Sequence, residues 1–119
     1  MEELKTKTAT VKWTQVGPIA DFPLNSGSCV KIGNEQIAVY RFERMNRWYA
    51  TQNLCPHRQE MVLSRGLLGA SGEAPFVACP LHKKRYALES GSCLDAEELS
   101  LRTYPIKIDG GFVFVGISE

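Results

Sequence analysis

The sequence lacks the features that mark several large classes of proteins. Its 14 Lys and Arg residues nearly balance 13 Asp and Glu residues, which leaves a net charge of +1. No excess of basic charge exists to attract nucleic acid or an anionic membrane surface. The longest apolar runs, such as residues 112–115, are strand-length and far short of the ~20 residues that a membrane-spanning helix needs. We therefore expect neither nucleic acid nor a membrane as a partner.

A targeting signal is also missing from the sequence pattern. The first twelve residues carry five charged side chains with no apolar block behind them, unlike a secretory signal peptide. We therefore expect a cytoplasmic protein, in which cysteines stay reduced. The 119 residues are 44% hydrophobic and 23% charged, close to the averages of soluble globular proteins. This composition predicts a single domain over residues 1–119.

Helix signals are scarce, and the hydrophobic pattern is that of short strands between turns. Gly33-Asn34 separates two strand patterns and predicts a hairpin, and Asp109-Gly110-Gly111 predicts another near the end of the chain. Two short helical turns are predicted at 59–65 and 95–99, and 70–73 is predicted to be a loop. The predicted strands are 13–16, 28–32, 36–42, 48–53, 74–79, 85–88, 99–108 and 112–117. The pattern thus indicates an all-β fold, an antiparallel sandwich or barrel.

Two further strand features bear on packing. Ile37 and Val39 alternate with Ala38 and Tyr40, so both faces of this strand are expected to be partly covered. Pro105 predicts an edge or a bulge within its strand, because proline has no N–H group for the ladder.

What the sequence does contain is a paired arrangement of cysteine and histidine. The only two histidines each lie within three residues of a cysteine, in Cys55-Pro56-His57 and Cys79-Pro80-Leu81-His82. One intervening residue lets Cys55 and His57 point to the same side of an extended segment, and a two-residue spacer lets a turn bring Cys79 and His82 together. The proline after each cysteine fixes φ and lowers the entropy lost when the loop becomes ordered. The pattern predicts a metal centre held between two loops at one end of the fold.

The residues alone leave the occupant of this centre open. Two thiolates and two imidazoles suit a tetrahedral Zn²⁺ ion. They equally suit a [2Fe–2S] cluster with the cysteines on one iron and the histidines on the other. The spacing favours the cluster, because zinc sites of this composition usually pair Cys with Cys and His with His along the chain. A third alternative is that no metal binds. Cys29 and Cys93 have no histidine nearby, and we interpret them as ordinary core or near-surface residues.

These two motifs resemble the Rieske iron–sulfur motif, and longer stretches resemble the small subunit of cytoplasmic NAD(P)H-dependent nitrite reductase. The resemblance extends from about Trp13 to Gly116, and its most similar segments are Gln36–Arg41, Ala50–Asn53, Val62–Gly66 and Cys79–Leu88. It implies a Rieske-like antiparallel β-sandwich and a Rieske-type [2Fe–2S] cluster. The ligands that it implies are Cys55, His57, Cys79 and His82. The stretch between His57 and Cys79 is longer than in most Rieske proteins.

The resemblance also implies a partner and a reaction. The partner is a large subunit that carries flavin, a [4Fe–4S] cluster and sirohaem, and the complex reduces nitrite to ammonium. The present chain would transfer electrons or give structural support. It shows no Gly-rich fingerprint for a nicotinamide cofactor, and both histidines are committed to the metal. We therefore expect no catalytic residue on this chain.

Two other functions remain open on the sequence. One is a stand-alone Rieske ferredoxin for an aromatic-ring dioxygenase, which predicts a shorter stretch between the ligand loops. The other is a scaffold subunit without redox activity, with Zn²⁺ or without metal.

Basic residues flank both predicted ligand loops. They form either a docking site for an acidic patch on the large subunit or a solvated loop surface. These residues are Arg58, Arg65, Lys83, Lys84 and Arg85. Four other side chains are interpreted as core residues, namely Trp13, Trp48, Tyr86 and Leu88.

Overall fold

A computed structural model describes residues 11–43, 46–56, 60–71, 74–80, 84–96 and 98–118. Twelve strands account for most of them, with short 3₁₀ turns at Ile19–Asp21 and Leu63–Arg65. The strands are β1 (Val11–Pro18), β2 (Ser26–Ile32), β3 (Glu35–Phe42), β4 (Arg47–Gln52), β5 (Leu54–Cys55), β6 (Glu60–Met61), β7 (Leu67–Ser71), β8 (Ala74–Ala78), β9 (Arg85–Ala87), β10 (Thr103–Tyr104), β11 (Ile106–Asp109) and β12 (Phe112–Ser118). In these ranges no helix is long and apolar enough to cross a membrane. The predicted all-β fold is confirmed.

The strands that the structure describes form four antiparallel sheets. The first has the order β1-β12-β11, the second β10-β4-β3-β2, the third β5-β6 and the fourth β7-β8-β9. The third and fourth sheets carry the segments that lead into the two predicted ligand loops. The first sheet joins the two ends of the described chain, since β1 pairs with β12 from Val11 to Pro18.

Strand β3 separates two hydrophobic cores. Its alternate residues Ile37 and Val39 lie in one core, and Ala38 and Tyr40 lie in the other. All four are at most 1% exposed. A strand that is covered on both faces is apolar at successive positions, as this one is. The prediction that both faces are covered is confirmed.

The two cores lie on opposite sides of the second sheet. The core that contains Ile37 and Val39 also includes Val113 and Val115 of β12, so it fills the space between the first and second sheets, and we call it the sheet-side core. The core that contains Ala38 and Tyr40 also includes Val77 of β8 and Tyr86 of β9, so it lies between the second sheet and the fourth, and we call it the loop-side core. The predicted ligand loops therefore emerge from only one of the two cores.

Glycine turns and a proline set the strand boundaries. Gly33, at a φ of +61°, turns the chain between β2 and β3, and Gly110 and Gly111, at +60° and +85°, turn it between β11 and β12. Both predicted hairpins are confirmed. Pro105 divides the predicted strand 99–108, because β10 pairs with β4 in the second sheet while β11 pairs with β12 in the first.

The prediction of a loop at 70–73 was wrong in its first half. Ala70 and Ser71 belong to β7, where they pair with Pro75 and Ala74; residues 72 and 73 lie outside the described ranges. Glycine and alanine have low strand propensity, so β7 owes its conformation to its pairing with β8 rather than to its own sequence.

The two predicted helical turns are shorter than expected. In the first, only Leu63–Arg65 forms a 3₁₀ turn, because Glu60–Met61 pairs with β5 instead; Gln59 lies outside the described ranges. In the second, the Leu99 N–H group donates to the Ala96 carbonyl at 3.1 Å, which closes a single turn.

The two tryptophans differ in burial. Trp48 packs against the sheet-side core and meets Phe22 edge to face, with ring centroids 5.8 Å apart. Trp13 is 39% exposed, so its assignment to the core was wrong. The Lys107 ammonium lies 4.7 Å from the centroid of the Trp13 ring, a cation–π contact that stabilises the indole at the surface.

Candidate metal centre

The two predicted cysteine ligands lie in the same core although 24 positions separate them in the sequence. Cys55 ends β5 and Cys79 directly follows β8, and both belong to the loop-side core. They are 0% and 1% exposed. His57 and His82 lie outside the described residues, so their positions stay a prediction. Within the described ranges no group of three or more His, Cys, Asp or Glu side chains is placed to hold a metal ion.

Each of these cysteines stands at the base of a closed loop. Cys55 pairs with Glu60 in the short ladder of β5 and β6, which closes the first loop. The Cys79 N–H group donates to the Lys84 carbonyl at 2.9 Å and closes the second. The fold therefore fixes both thiols at their loop bases, one from each predicted Cys/His pair.

The other two cysteines fit their interpretation as ordinary residues. Cys29 is exposed on β2, Cys93 is buried in the loop-side core, and neither forms a disulfide. Burial of part of the Cys29 side chain raises its pKa, so this thiol stays protonated at neutral pH.

Asn53 ties the first loop to the rest of the fold. This residue is 2% exposed, and its side-chain oxygen accepts from the Ser64 N–H group at 2.7 Å. Its side-chain nitrogen donates to Gln36 Oε1 at 3.1 Å. In the backbone, the Asn53 N–H group donates to the Gln36 carbonyl, and the Asn53 carbonyl accepts from Leu63 N–H, both at 3.1 Å. Asn53 thus joins β3, the start of the first loop and the 3₁₀ turn after it.

We expect Asn53→Ala to destabilise the protein by roughly 1–3 kcal/mol, because it removes buried hydrogen bonds and leaves the Ser64 N–H group without its acceptor. Urea unfolding of the purified chain measures this loss. Asn34→Ala, an exposed position in the β2–β3 turn, is the control and should change stability by less than about 0.5 kcal/mol. Equal losses in the two variants would contradict the role given to Asn53.

Tyr86 places a buried hydroxyl group among the cysteines. The residue is 0% exposed, and its Oη atom has no nitrogen or oxygen hydrogen-bond partner among the described residues. Burial raises its pKa, the charge of Cys55 and a hydrogen bond to that side chain raise it further, and the charges of Cys93 and Cys79 add to the rise. A neutral thiol is only a weak acceptor for a buried hydroxyl group. A metal-bound thiolate at Cys55 would accept this hydrogen bond, so the residues present fit a metal centre here.

The segment after the second loop is held by an ion pair. Asp95 accepts from the Arg85 backbone N–H at 2.9 Å and from two guanidinium nitrogens, Nη2 at 2.9 Å and Nε at 3.2 Å. The guanidinium and then the backbone N–H lower the pKa of Asp95 to about 2. Arg85 therefore has its charge matched within the chain, and Arg65 is exposed. Of the other predicted basic residues, Lys84 is half-buried, and Arg58 and Lys83 lie outside the described ranges.

Comparison with known proteins agrees with this geometry. Residues 12–116 match the family of Rieske-like [2Fe–2S] domains. Over 102 residues the sequence is 32% identical to the nitrite reductase (NADH) small subunit of Escherichia coli (strain K12), which covers 86% of this chain and 94% of that subunit. The chain belongs to the Rieske-like small subunits of nitrite reductase. The resemblance stated from the sequence is confirmed.

Other relatives extend the comparison. The NMR structure of the E. coli protein NirD has a TM-score of 0.82 at 30% identity, over 92% of this chain and 99% of that one. The nitrite reductase [NAD(P)H] large subunit of Klebsiella oxytoca is 38% identical over 104 residues, but the match spans 87% of this chain and only 11% of that subunit. The ferredoxin component of a naphthalene 1,2-dioxygenase system from Pseudomonas aeruginosa is 32% identical over 92% of this chain and 99% of its own length.

Proposed function

We propose that this chain is the small subunit of a cytoplasmic NAD(P)H-dependent nitrite reductase and that it holds a Rieske-type [2Fe–2S] cluster. The ligands in this proposal are Cys55, His57, Cys79 and His82. The observation that carries it is the convergence of Cys55 and Cys79, from two closed loops, in one core beside the buried Tyr86 hydroxyl. The complex reduces nitrite to ammonium, and the large subunit supplies flavin, a [4Fe–4S] cluster and sirohaem.

The residues of this chain have a holding role rather than a catalytic one. Cys55 and Cys79 would hold one iron and His57 and His82 the other, and the cluster would supply one-electron transfer when bound. Burial of both thiols keeps water from the sulfur side, and the closed loop bases limit the movement of the ligands. Cluster potential falls when fewer hydrogen bonds reach the sulfurs, so this pocket also sets the driving force of transfer.

A ferredoxin that serves a dioxygenase is the second candidate, and the Pseudomonas relative favours it. That function predicts a short connection between the ligand loops. In this chain the connection contains β6, a 3₁₀ turn and the β7–β8 hairpin. The length of this connection supports the reductase subunit.

Metal analysis combined with reconstitution tests the proposal. Protein purified under anaerobic conditions should contain iron and acid-labile sulfide in equal amounts and show the visible absorption of a [2Fe–2S] cluster. Mixed with a purified large subunit, it should increase NAD(P)H-dependent nitrite reduction. A colourless protein with one zinc per chain would refute the cluster, and full activity of the large subunit alone would refute the role as a subunit.

A further inference from the structure

The outward face of the fourth sheet is unusually apolar. One set of residues from β7, β8 and β9 packs into the loop-side core: Leu68, Val77 and Tyr86 lie opposite one another in the register. The alternate residues face away from that core. They form two rows across the sheet, Leu67, Ala78 and Arg85 in one and Gly69, Phe76 and Ala87 in the other. We call these six residues the β7–β9 outer face.

An outward-facing sheet face normally carries polar side chains, but this one carries a single charged residue. Of its six members Leu67 is exposed, Ala78 is buried and the other four are half-buried. The charged residue, Arg85, is matched by Asp95, and its guanidinium lies 5.7 Å from the centroid of the Phe76 ring. Leu67 is 69% exposed, more than any other large apolar residue that the structure describes. A Cβ atom at Gly69 would lie 2.7 Å from the Phe76 ring, so this ring lies directly across the glycine. The face is therefore apolar and shallow.

This face adjoins the second predicted ligand loop. Leu67 pairs with Ala78, the residue before Cys79. One other exposed apolar residue extends the surface. Leu94, 44% exposed, donates its N–H group to the Arg85 carbonyl at 2.7 Å. A partner that covers this surface would touch the base of the second loop.

We propose that the β7–β9 outer face is the surface that binds the large subunit of the reductase, an inference that rests on the proposed function. In the Klebsiella large subunit a region similar to this chain belongs to the same polypeptide as the rest of that subunit. A domain joined to its partner in this way has a permanent neighbour, and permanent interfaces are more apolar than transient ones. The exposed Arg65, two residues before Leu67, indicates acidic side chains on the matching surface of the large subunit.

Leu67→Lys tests this surface, because it places a charge at the most exposed apolar position of the face. Ile108→Lys is the matched control, since Ile108 is a 37% exposed apolar residue on β11 in the first sheet. Isothermal titration of the full-length, iron-loaded chain into the purified large subunit gives the dissociation constants. We expect Leu67→Lys to weaken binding at least tenfold and Ile108→Lys to change it less than twofold. Circular dichroism and the iron content of both variants should equal those of the wild type.

Three results would overturn the proposal in distinguishable ways. Unchanged affinity of Leu67→Lys refutes this surface and leaves the proposed function intact. An iron-loaded wild-type chain that fails to bind the large subunit refutes the subunit role and this inference together. Sedimentation that shows a wild-type dimer and a Leu67→Lys monomer, with equal affinity for the large subunit, assigns the face to self-association instead. Leu67→Ser repeats each measurement without a new charge and should show a smaller loss in the same direction.

Discussion

Cys55→Ser is expected to abolish iron binding and leave the protein folded, and His82→Ala should do the same. The sheet-side core contains neither predicted ligand loop and is closed by β12 against β3. A chain of 119 residues also buries enough surface to fold without a metal, unlike a zinc finger. Cys55→Ser replaces a buried thiol with a hydroxyl group. This change should lower the free energy of unfolding by roughly 1–3 kcal/mol.

Cys93→Ser is the matched control for this substitution. Cys93 is buried in the same core as Cys55, but it has no place in the predicted ligand set. Its serine variant should suffer a similar loss of stability and keep its iron. Far-UV circular dichroism, urea unfolding and iron analysis of the three variants separate the effects. Loss of all far-UV signal in Cys55→Ser but not in Cys93→Ser would show that the metal, and not the apolar cores, stabilises the fold.

Local chemistry explains which parts of this structure are predictable from the sequence. The hairpins at Gly33 and at Gly110-Gly111 follow from positive φ angles that glycine adopts without strain. The double burial of β3 follows from apolar residues at successive positions. The Cys/His motifs predict the two ligand loops, because this spacing of cysteine and histidine is itself typical of a metal centre. In each case the signal lies within a few neighbouring residues.

The features that the sequence does not reveal depend on contacts between distant segments. Strand β7 exists because Leu67 to Ser71 pair with β8, although the sequence pattern predicts a loop from residue 70 onwards. Asn53 is important because Gln36 and Ser64 meet its side chain, and nothing in its neighbours along the chain indicates that. In the sequence Arg85 is one of several basic residues. Its ion pair with Asp95 forms only in the folded chain, because the turn that contains Asp95 packs beside it. The only sequence signal for Asn53 is a polar residue between strand patterns, which is also typical of a loop.

Tyr86→Phe is expected to leave the metal-free protein as stable as the wild type or more stable, and to lower the reduction potential of the iron-loaded protein. In the metal-free chain the Tyr86 hydroxyl is buried beside the neutral Cys55 thiol, which is only a weak acceptor, so its removal should leave the free energy of unfolding unchanged or raise it by up to about 1 kcal/mol. In the loaded protein a deprotonated Cys55 would accept more strongly from this hydroxyl. Hydrogen bonds to sulfur stabilise the reduced, more negative state and raise the reduction potential. A difference of about 1 kcal/mol between the redox states corresponds to a potential lower by about 40 mV in Tyr86→Phe.

Tyr40 provides the comparison that makes this result specific. Both tyrosines are fully buried in the loop-side core, but the Tyr40 hydroxyl already has a partner in Thr51 Oγ1 at 3.1 Å. Tyr40→Phe should therefore destabilise both forms of the protein by about 1 kcal/mol and leave the potential unchanged. Urea unfolding of the two metal-free variants gives the changes in the free energy of unfolding, and redox titration of the two loaded variants gives the changes in reduction potential. If Tyr86→Phe destabilises the metal-free protein as much as Tyr40→Phe does, the Tyr86 hydroxyl has an acceptor other than the metal centre, and the main structural support for a cluster at Cys55 and Cys79 is removed.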